Sequence, residues 1–595
     1  MSSIQERLAA LRSEMANEQI DAYLVFGTDP HMSEYVAGRW RDRAWISGFT
    51  GSAGTFVCTR TKAGLWTDSR YYLQAALELE GSGIALFRQG QGCVPGLCEW
   101  LGQELPKEAV VGTYGWTVSA DLFRSLQQQL SVYGLDLQAS EDLLERIWDE
   151  RPALPEEDVY QHDVRYAGQT RPEKIKQVQQ QLWSIKADYQ LLSSLSDIAW
   201  LFNLRGNDIQ YNPLFLSYAL VGKEDVHLCV DRRKLSEELT SLLEEEGIKL
   251  APYRTIEELL KNTLRTESRV VYDPAAVSFA LAQHIASLAK PVEKSDITTQ
   301  LKAIKSATEI EGIKNALVKD GTAMVQFLYW LQHSWERGSL NEVSVGNALP
   351  QYRSRQAGFM GESFHPIVGF RDHGAVIHYR ADESSAYELD GGGLLLIDSG
   401  AHYLDGTTDI TRTVVLGEGT PQQREDYTSV LKAHINLASA RFPQGTRGIQ
   451  LDSLAKHTLW TRGLSYGHGT GHGVGCFLNV HEGPQSISSK MIDAELEPGM
   501  VNSNEPGLYR EGAYGIRIEN LILTVEEFET PFGRFFGFET ITLCPLERKL
   551  IDPAMLTAEQ REWVNEYHQR VFRELSPQLN TEERHWLEEQ TTPML

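Results

Sequence analysis

The sequence predicts a tandem pair of related α/β domains followed by a third domain of long helices and β-hairpins. Three observations carry this reading. A chain of 595 residues is too long for one core and points to about three or four domains. A helix, a strand, a Trp-to-Gly segment and a further strand occur in that order twice, in the first and second regions. Every cluster of acidic residues and histidines with chemical potential falls in the third.

Composition excludes several classes. With 42% hydrophobic and 23% charged residues, the chain reads as an ordinary globular protein. A net charge of −25 argues against nucleic acid or an anionic membrane as partner. No apolar run approaches the roughly 18 residues that cross a bilayer. The amino-terminal stretch MSSIQERLAALRSEMANEQ lacks the apolar centre of a signal peptide, so a cytoplasmic location is expected. Cys58, Cys93, Cys98, Cys229, Cys476 and Cys544 form no zinc-like pairing or disulfide framework; Cys93 and Cys98 are two isolated thiols, expected to be buried and free rather than metal ligands.

The first domain, 1–153, opens with a helix that places Ile4, Leu8, Leu11 and Met15 on one face. The strand Ile20 to Phe26, the segment Ala44 to Gly51 and the strand-like Gly64 to Tyr71 follow, and the two-proline stretch Arg151 to Pro155 closes the domain. The second domain, 154–298, repeats this order. Helical Lys174 to Ile185 precedes Ala187 to Leu191, which echoes Ile20 to Leu24. Asp197 to Gly206 parallels Ala44 to Gly51, and Leu228 to Arg233 stands where Leu65 to Arg70 stood.

The third domain, 299–595, begins its first long helix at a capping box, Thr308-Glu309-Ile310-Glu311, with Ile313, Leu317, Met324, Leu328 and Leu331 at helical spacing. Further helices start at Thr557-Ala558-Glu559-Gln560 and near Asn580, and are expected to pack on this domain. Leu394 to Leu416 reads as two β-rich arms about a turn at Leu404-Asp405-Gly406. Asp398 and Asp409 lie on opposite arms. Facing β-carbons in a hairpin are about 4.5–5.5 Å apart, and two carboxylates held about 4 Å apart repel by roughly 4 kcal/mol at an effective dielectric near 20. Such a pair implies a shared proton or a shared cation. Asn504 to Glu519 repeats the device, with Glu505 and Glu519 equidistant from Gly512. Between the hairpins, Tyr466 to Gly475 sets histidines among glycines, where backbone can approach a ligand closely. Four carboxylates and an imidazole suit two divalent metal ions.

These residues resemble the methionine-aminopeptidase-like metallopeptidases of pita-bread fold and, within them, the large three-domain Xaa-Pro aminopeptidases. The motifs that carry the likeness are IDSGAHYLDGTTDITRT, GHGTGHGVGCFLNVHEGP and EPGLYREGAYGIRIEN. The resemblance implies tandem creatinase-like α/β domains before an α+β pita-bread catalytic domain. It implies Asp398, Asp409, His472, Glu505 and Glu519 as metal ligands, with Asp409 and Glu519 bridging two ions and a hydroxide between them as nucleophile. Mostly oxygen donors with one nitrogen suit manganese, zinc or cobalt, and manganese is what the resemblance implies. His378 matches the family's GAxIHY histidine, while His468 and His481 match those on either side of His472; each is a candidate to bind substrate or move protons. Arg517 is placed to support a ligand carboxylate. The activity implied is removal of the first residue from peptides with proline second, by a homodimer. The rivals are a prolidase restricted to dipeptides and a catalytically inert binding module. One segment departs from the family. Ile367 to His373 stands where many relatives carry a Gly-Pro-Asn-Gly turn, so Arg371 and His373 inherit no role; a solvated loop is the expectation, ahead of a part in shaping pocket access.

Overall fold

The computed structural model describes residues 3–338 and 340–594, so Met1 and Ser2 of the amino-terminal stretch lie outside the described residues. By contacts the chain divides into two compact units, one of residues 1–162 and 169–298, the other of 163–168 and 299–595. No helix among the described residues is long and apolar enough to cross a membrane.

The first unit holds both α/β repeats. Helix α1 (Ile4–Asn17) starts at a Ser3–Glu6 capping box and buries Leu8, Leu11 and Met15. Strands β1 (Ala22–Val25), β2 (Thr55–Thr59), β3 (Ala63–Thr67), β4 (Ala85–Arg88), β5 (Val110–Tyr114) and β6 (Asp136–Ser140) make one mixed sheet in the order β4-β3-β2-β1-β5-β6. After helix α2 (Arg171–Ser184), strands β7 (Tyr189–Leu192), β8 (Ser217–Gly222), β9 (Val226–Val230), β10 (Ile248–Ala251), β11 (Arg269–Tyr272) and β12 (Lys290–Glu293) take the order β10-β9-β8-β7-β11-β12. The two sheets have one topology, strand for strand. The Trp-to-Gly segments also correspond: helices Asp42–Ser47 and Leu195–Phe202 each end on a left-handed residue, Gly48 and Asn203. All six cysteines are free, but Cys93 is exposed rather than buried.

The second unit is built on helix α3 (Ala307–Trp335). It begins two residues earlier than the sequence signal: the capping box is Ser306–Glu309, and Thr308 lies inside the helix. Ile313, Leu317, Met324, Leu328 and Leu331 are all buried. Helix α4 (Glu342–Arg353) and strand β13 (Ile367–Phe370) lead to the ladder of β14 (Gly393–Ser399) with β15 (Ile410–Leu416). Helix α5 (Pro421–Ala438) follows, then β16 (Val501–Asn504), β17 (Gly507–Arg510), β18 (Tyr514–Arg517), β19 (Asn520–Thr530) and β20 (Gly533–Thr540). The tail forms helices α6 (Ala558–Leu575) and α7 (Thr581–Gln590). Their Val564, Val571, Leu575 and Leu587 share one core with Leu395, Ile397 and Val415 of the ladder, so the tail completes the core beneath the acidic strands.

Candidate metal centre

The first carboxylate pair stands on β14 and β15 in a different register from the one the sequence implied. Tyr403 pairs with Gly406 at the tip, and the same register runs back through Asp398 opposite Thr411. The loop is therefore Leu404-Asp405 alone, and the axis of symmetry lies one residue further along than the midpoint between Asp398 and Asp409. Asp398 faces Thr411, and Asp409 lies diagonally across on the same face, an offset that β-geometry sets at about 7–8 Å between α-carbons. Helix α3 covers this tip. A β-carbon on Gly406 would stand 3.0 Å from Ala316 Cβ and Ile313 Cα, while Lys319 Nζ holds Asp405 at 2.7 and 2.8 Å.

The second pair follows a single register through two short ladders. Gly507 pairs with Arg517 in β17 and β18, and Asn504 with Asn520 in β16 and β19. Glu505 and Glu519 fall between them. There the strands part and the backbone amides find other partners: Glu505 N donates to Thr470 O at 2.8 Å and Glu519 N to Thr411 O at 3.2 Å. One carboxylate is thus carried to the histidine segment and the other to the first hairpin. Gly471 admits this approach, since a β-carbon there would lie 1.9 Å from Ser503 O.

His472 closes the centre. Its backbone N donates to Ser503 Oγ at 3.0 Å, and its Nδ1 lies 3.0 Å from Gly473 O. With Nδ1 donating to that carbonyl, Nε2 is left facing Asp409 Oδ2 at 3.4 Å and Glu505 Oε1 at 3.5 Å. Asp409, His472 and Glu519 each offer one atom within 4.8 Å of the others. Glu505 joins them through His472, and Asp398 through Arg517, whose guanidinium donates to Asp398 Oδ2. Arg517 also donates through Nε to Thr411 Oγ1 at 3.1 Å, and that hydroxyl donates to Glu519 Oε2 at 2.7 Å. One arginine therefore reaches a carboxylate of each hairpin, directly or through a hydroxyl.

The electrostatics are those of a site short of positive charge. Burial raises the carboxyl pKa of Glu519 well above the usual range, reinforced by Asp409, Glu505 and Asp398. Burial also raises Asp409 against the pull of His472, and Asp398 against that of Arg517. Burial alone would lower His472, but Asp409 and Glu505 outweigh it and lift the imidazole to about 9. Asp398 Oδ1 is buried and accepts no hydrogen bond. Crowded carboxylates, a spare buried acceptor and an imidazole nitrogen turned inward fit divalent cations by donor chemistry and by charge.

The other histidines differ in setting. His481 packs edge-on against His472 with ring centres 4.4 Å apart. Its neighbour Glu482 is buried between Lys302 and Lys305, each 3.1 Å away; burial pushes that carboxyl up, but the two ammonium groups hold it below its usual value. His468 has both ring nitrogens engaged, Nδ1 with Gly469 O at 2.7 Å and Nε2 with Tyr509 OH at 2.8 Å, and burial pushes it down to about 4. Tyr509 OH in turn accepts from Arg517 NH1 at 2.8 Å. His378 is half-buried on the turn that follows the short 3-10 helix Arg371–Ala375.

The comparisons with known proteins agree over the whole chain. Residues 311–526 match metallopeptidase family M24 and 534–594 its C-terminal region, while 7–147 and 150–309 each match a creatinase/prolidase N-terminal domain. A probable Xaa-Pro aminopeptidase P of Botryotinia fuckeliana is 41% identical, over 99% of this chain and 93% of its own. Xaa-Pro aminopeptidase 1 of Dictyostelium discoideum is 38% identical, over 100% and 97%. The crystal structure of a Caenorhabditis elegans X-prolyl aminopeptidase, described as a cytosolic enzyme with a di-nuclear active site, aligns with a TM-score of 0.95 and 34% identity over 100% of both chains. The chain belongs to the Xaa-Pro aminopeptidases of family M24.

Several residues of this M24 peptidase escape a reading of acidic spacing. Thr411 and Tyr509 link Arg517 to Glu519 and His468. Period-two alternation was the available signal, since Thr411 lies two residues beyond Asp409 and Tyr509 four beyond Glu505. The expectation of a solvated loop is overturned at His373, while the side chain of Arg371 stays 43% exposed. His373 Nδ1 lies 2.9 Å from both oxygens of the buried Glu342, and Arg371 NH2 donates to Asp390 O at 2.5 Å and Gly392 O at 3.1 Å. A buried carboxylate from a distant helix supplies the partner that the local sequence did not reveal.

Proposed function

We propose that this chain is a dinuclear metal-dependent aminopeptidase that hydrolyses the first peptide bond of peptides with proline in second position. The observation that carries the reading is the convergence of Asp409, His472 and Glu519 within 4.8 Å, with Glu505 and Asp398 attached to that trio. In this reading those five residues would hold two divalent cations, with manganese the metal of choice. When bound, the cations lower the pKa of water and stabilise the oxyanion formed on attack.

The chain's own residues do the rest. Arg517 fixes Asp398 directly and Glu519 through Thr411, so the ligand oxygens are oriented before any ion arrives. The acidic surroundings draw the free ammonium of the substrate. An Xaa-Pro bond has no N–H and carries a fixed ring, so recognition rests on that terminus and on the ring rather than on an extended backbone. His378 and His481 are the candidates to protonate the departing proline nitrogen. His468, with both nitrogens engaged, holds Tyr509 against Arg517. We read the protein as a cytoplasmic homodimer divided into domains 1–153, 154–298 and 299–595.

The test is release of the first residue from an Arg-Pro-Pro-type tripeptide by the metal-loaded protein, with metal counted in the same sample. Two ions per chain and cleavage are expected. Cleavage of Xaa-Pro dipeptides alone would assign a prolidase instead, and inertness toward both would leave a binding module.

A further inference from the structure

The loop from Arg371 to Tyr387 is fastened to a single carboxylate. Glu342, the first residue of α4, is fully buried. A glutamate at that position ordinarily faces water and favours the helix through its dipole; this one points inward. It accepts from Phe370 N at 2.7 Å, Tyr387 N at 2.8 Å, Tyr379 OH at 3.0 Å and His373 Nδ1 at 2.9 Å. Those donors saturate the acceptor sites of a carboxylate. The His373 ring is also sandwiched, 3.6 Å from Tyr387 and 4.3 Å from Tyr379 between ring centres.

The path of the loop gives this anchor its meaning. It leaves β13, whose Ile367 pairs with Asp398. It then presses on β18, where a β-carbon at Gly515 would stand 1.7 Å from Gly374 O. The segment therefore runs along both the strand of Asp398 and the strand of Arg517. His378 follows four residues after Gly374, immediately before Tyr379, one of the groups bound to Glu342.

We propose that Glu342 is a positioning residue for Xaa-Pro hydrolysis, gathering Phe370, His373, Tyr379 and Tyr387 so that the turn carrying His378 stands at one place beside the substrate. The proposal rests on the reading that His378 meets substrate in an Xaa-Pro aminopeptidase. Glu342→Gln replaces one acceptor oxygen by an NH2 group, which then meets a donor of the loop head-on. Misplacing a reacting group by about 1 Å can lower the rate about a hundredfold.

The experiment is a double-mutant cycle in the full-length, metal-loaded protein, following kcat and KM on an Arg-Pro-Pro tripeptide. Glu342→Gln is expected to lower kcat/KM by about 10- to 100-fold in the wild-type background, and by less than about threefold when His378 is already alanine. Glu342→Asp, which keeps the charge, is expected to recover part of the loss. Equal factors in the two backgrounds overturn the proposal, because the carboxylate would then act otherwise than through His378. Should Glu342→Gln show no thermal transition, Tyr379→Phe and His373→Asn enter the same cycle under the same criterion. A wild-type protein that cleaves no Xaa-Pro peptide is a separate outcome, and overturns the activity on which the proposal stands.

Discussion

Arg412 NH1 donates to the carbonyl of Glu519 at 2.7 Å, tying the strand of one hairpin to the acidic residue of the other. The same guanidinium reaches Thr411 O at 2.9 Å, Asn520 Oδ1 at 2.8 Å, Pro545 O at 3.1 Å, Cys544 O at 2.9 Å and Tyr567 OH at 3.0 Å. Arg412 is fully buried, and Tyr567 lies on α6. The carboxy-terminal helices thus bear on the acidic cluster through one side chain. Arg412→Ala takes the donor from Glu519 O and Pro545 O, whereas Thr411 O keeps Glu519 N and Cys544 O keeps Tyr567 OH. The cost is about 1–3 kcal/mol for each buried acceptor left unmatched. The catalytic unit is expected to lose at least about 3 kcal/mol, read as a lowered denaturant midpoint. Tyr567→Phe removes only the hydroxyl and is expected to lose about 1 kcal/mol. An unchanged midpoint in Arg412→Ala would refute the account.

Arg517 gives a prediction about metal rather than stability. Its fork serves Asp398, Thr411 and Tyr509 at once, and a lysine cannot reproduce three directed donors. Arg517→Lys is expected to weaken metal binding and kcat/KM together by about 10- to 100-fold. Titrating activity against metal concentration measures both. Full activity at ordinary metal levels would show that charge alone suffices.

Much of this was legible in the sequence, for physical reasons. The two sheets repeat because helix and strand periods repeat, and α/β order is local information. The carboxylates are conspicuous in the sequence because two hairpins set like charges near one another. The register of the first is not fixed by spacing, since spacing about a turn does not say how many residues the turn consumes; the pairing of Tyr403 with Gly406 decides that. Contacts distant in sequence stayed hidden. Glu342 and His373 are 31 residues apart, Arg412 and Tyr567 155 apart, and nothing in either local pattern announces its partner.

Acid lability is expected from His568 and His434. Burial pushes each down to about 3, and each accepts through Nε2, from Leu546 N and Asn520 Nδ2, both at 3.1 Å. Folded, they are neutral between pH 3 and 6.5; unfolded, they are protonated there. Unfolding therefore takes up protons, and stability rises with pH across that window. The contribution is complete above pH 6.5 and is lost as pH falls toward 3. Each group changes stability by about 1.4 kcal/mol per pH unit within the window. His568→Gln keeps an acceptor but cannot titrate. Denaturant midpoints at several pH values should show a shallower acid slope in this variant than in wild type, by one proton's worth. Parallel slopes would exclude His568 as a source.

Removal of metal should expose the repulsion within the cluster. Glu519, Asp409 and Asp398 all have raised carboxyl pKa values, with burial the largest cause. At neutral pH without cations, the folded state must either keep these charges uncompensated or take up protons. A chelator should lower the thermal midpoint of wild type. Manganese at a hundred times its dissociation constant should add back about 2.7 kcal/mol by mass action. Asp409→Asn removes one charge while keeping the shape. Its chelated form should melt above chelated wild type, while added manganese should raise it far less and kcat/KM should fall by more than about a hundredfold. The opposite signs in the two states are diagnostic: a merely structural aspartate would destabilise both. If manganese stabilises Asp409→Asn as strongly as wild type, the cations are held elsewhere.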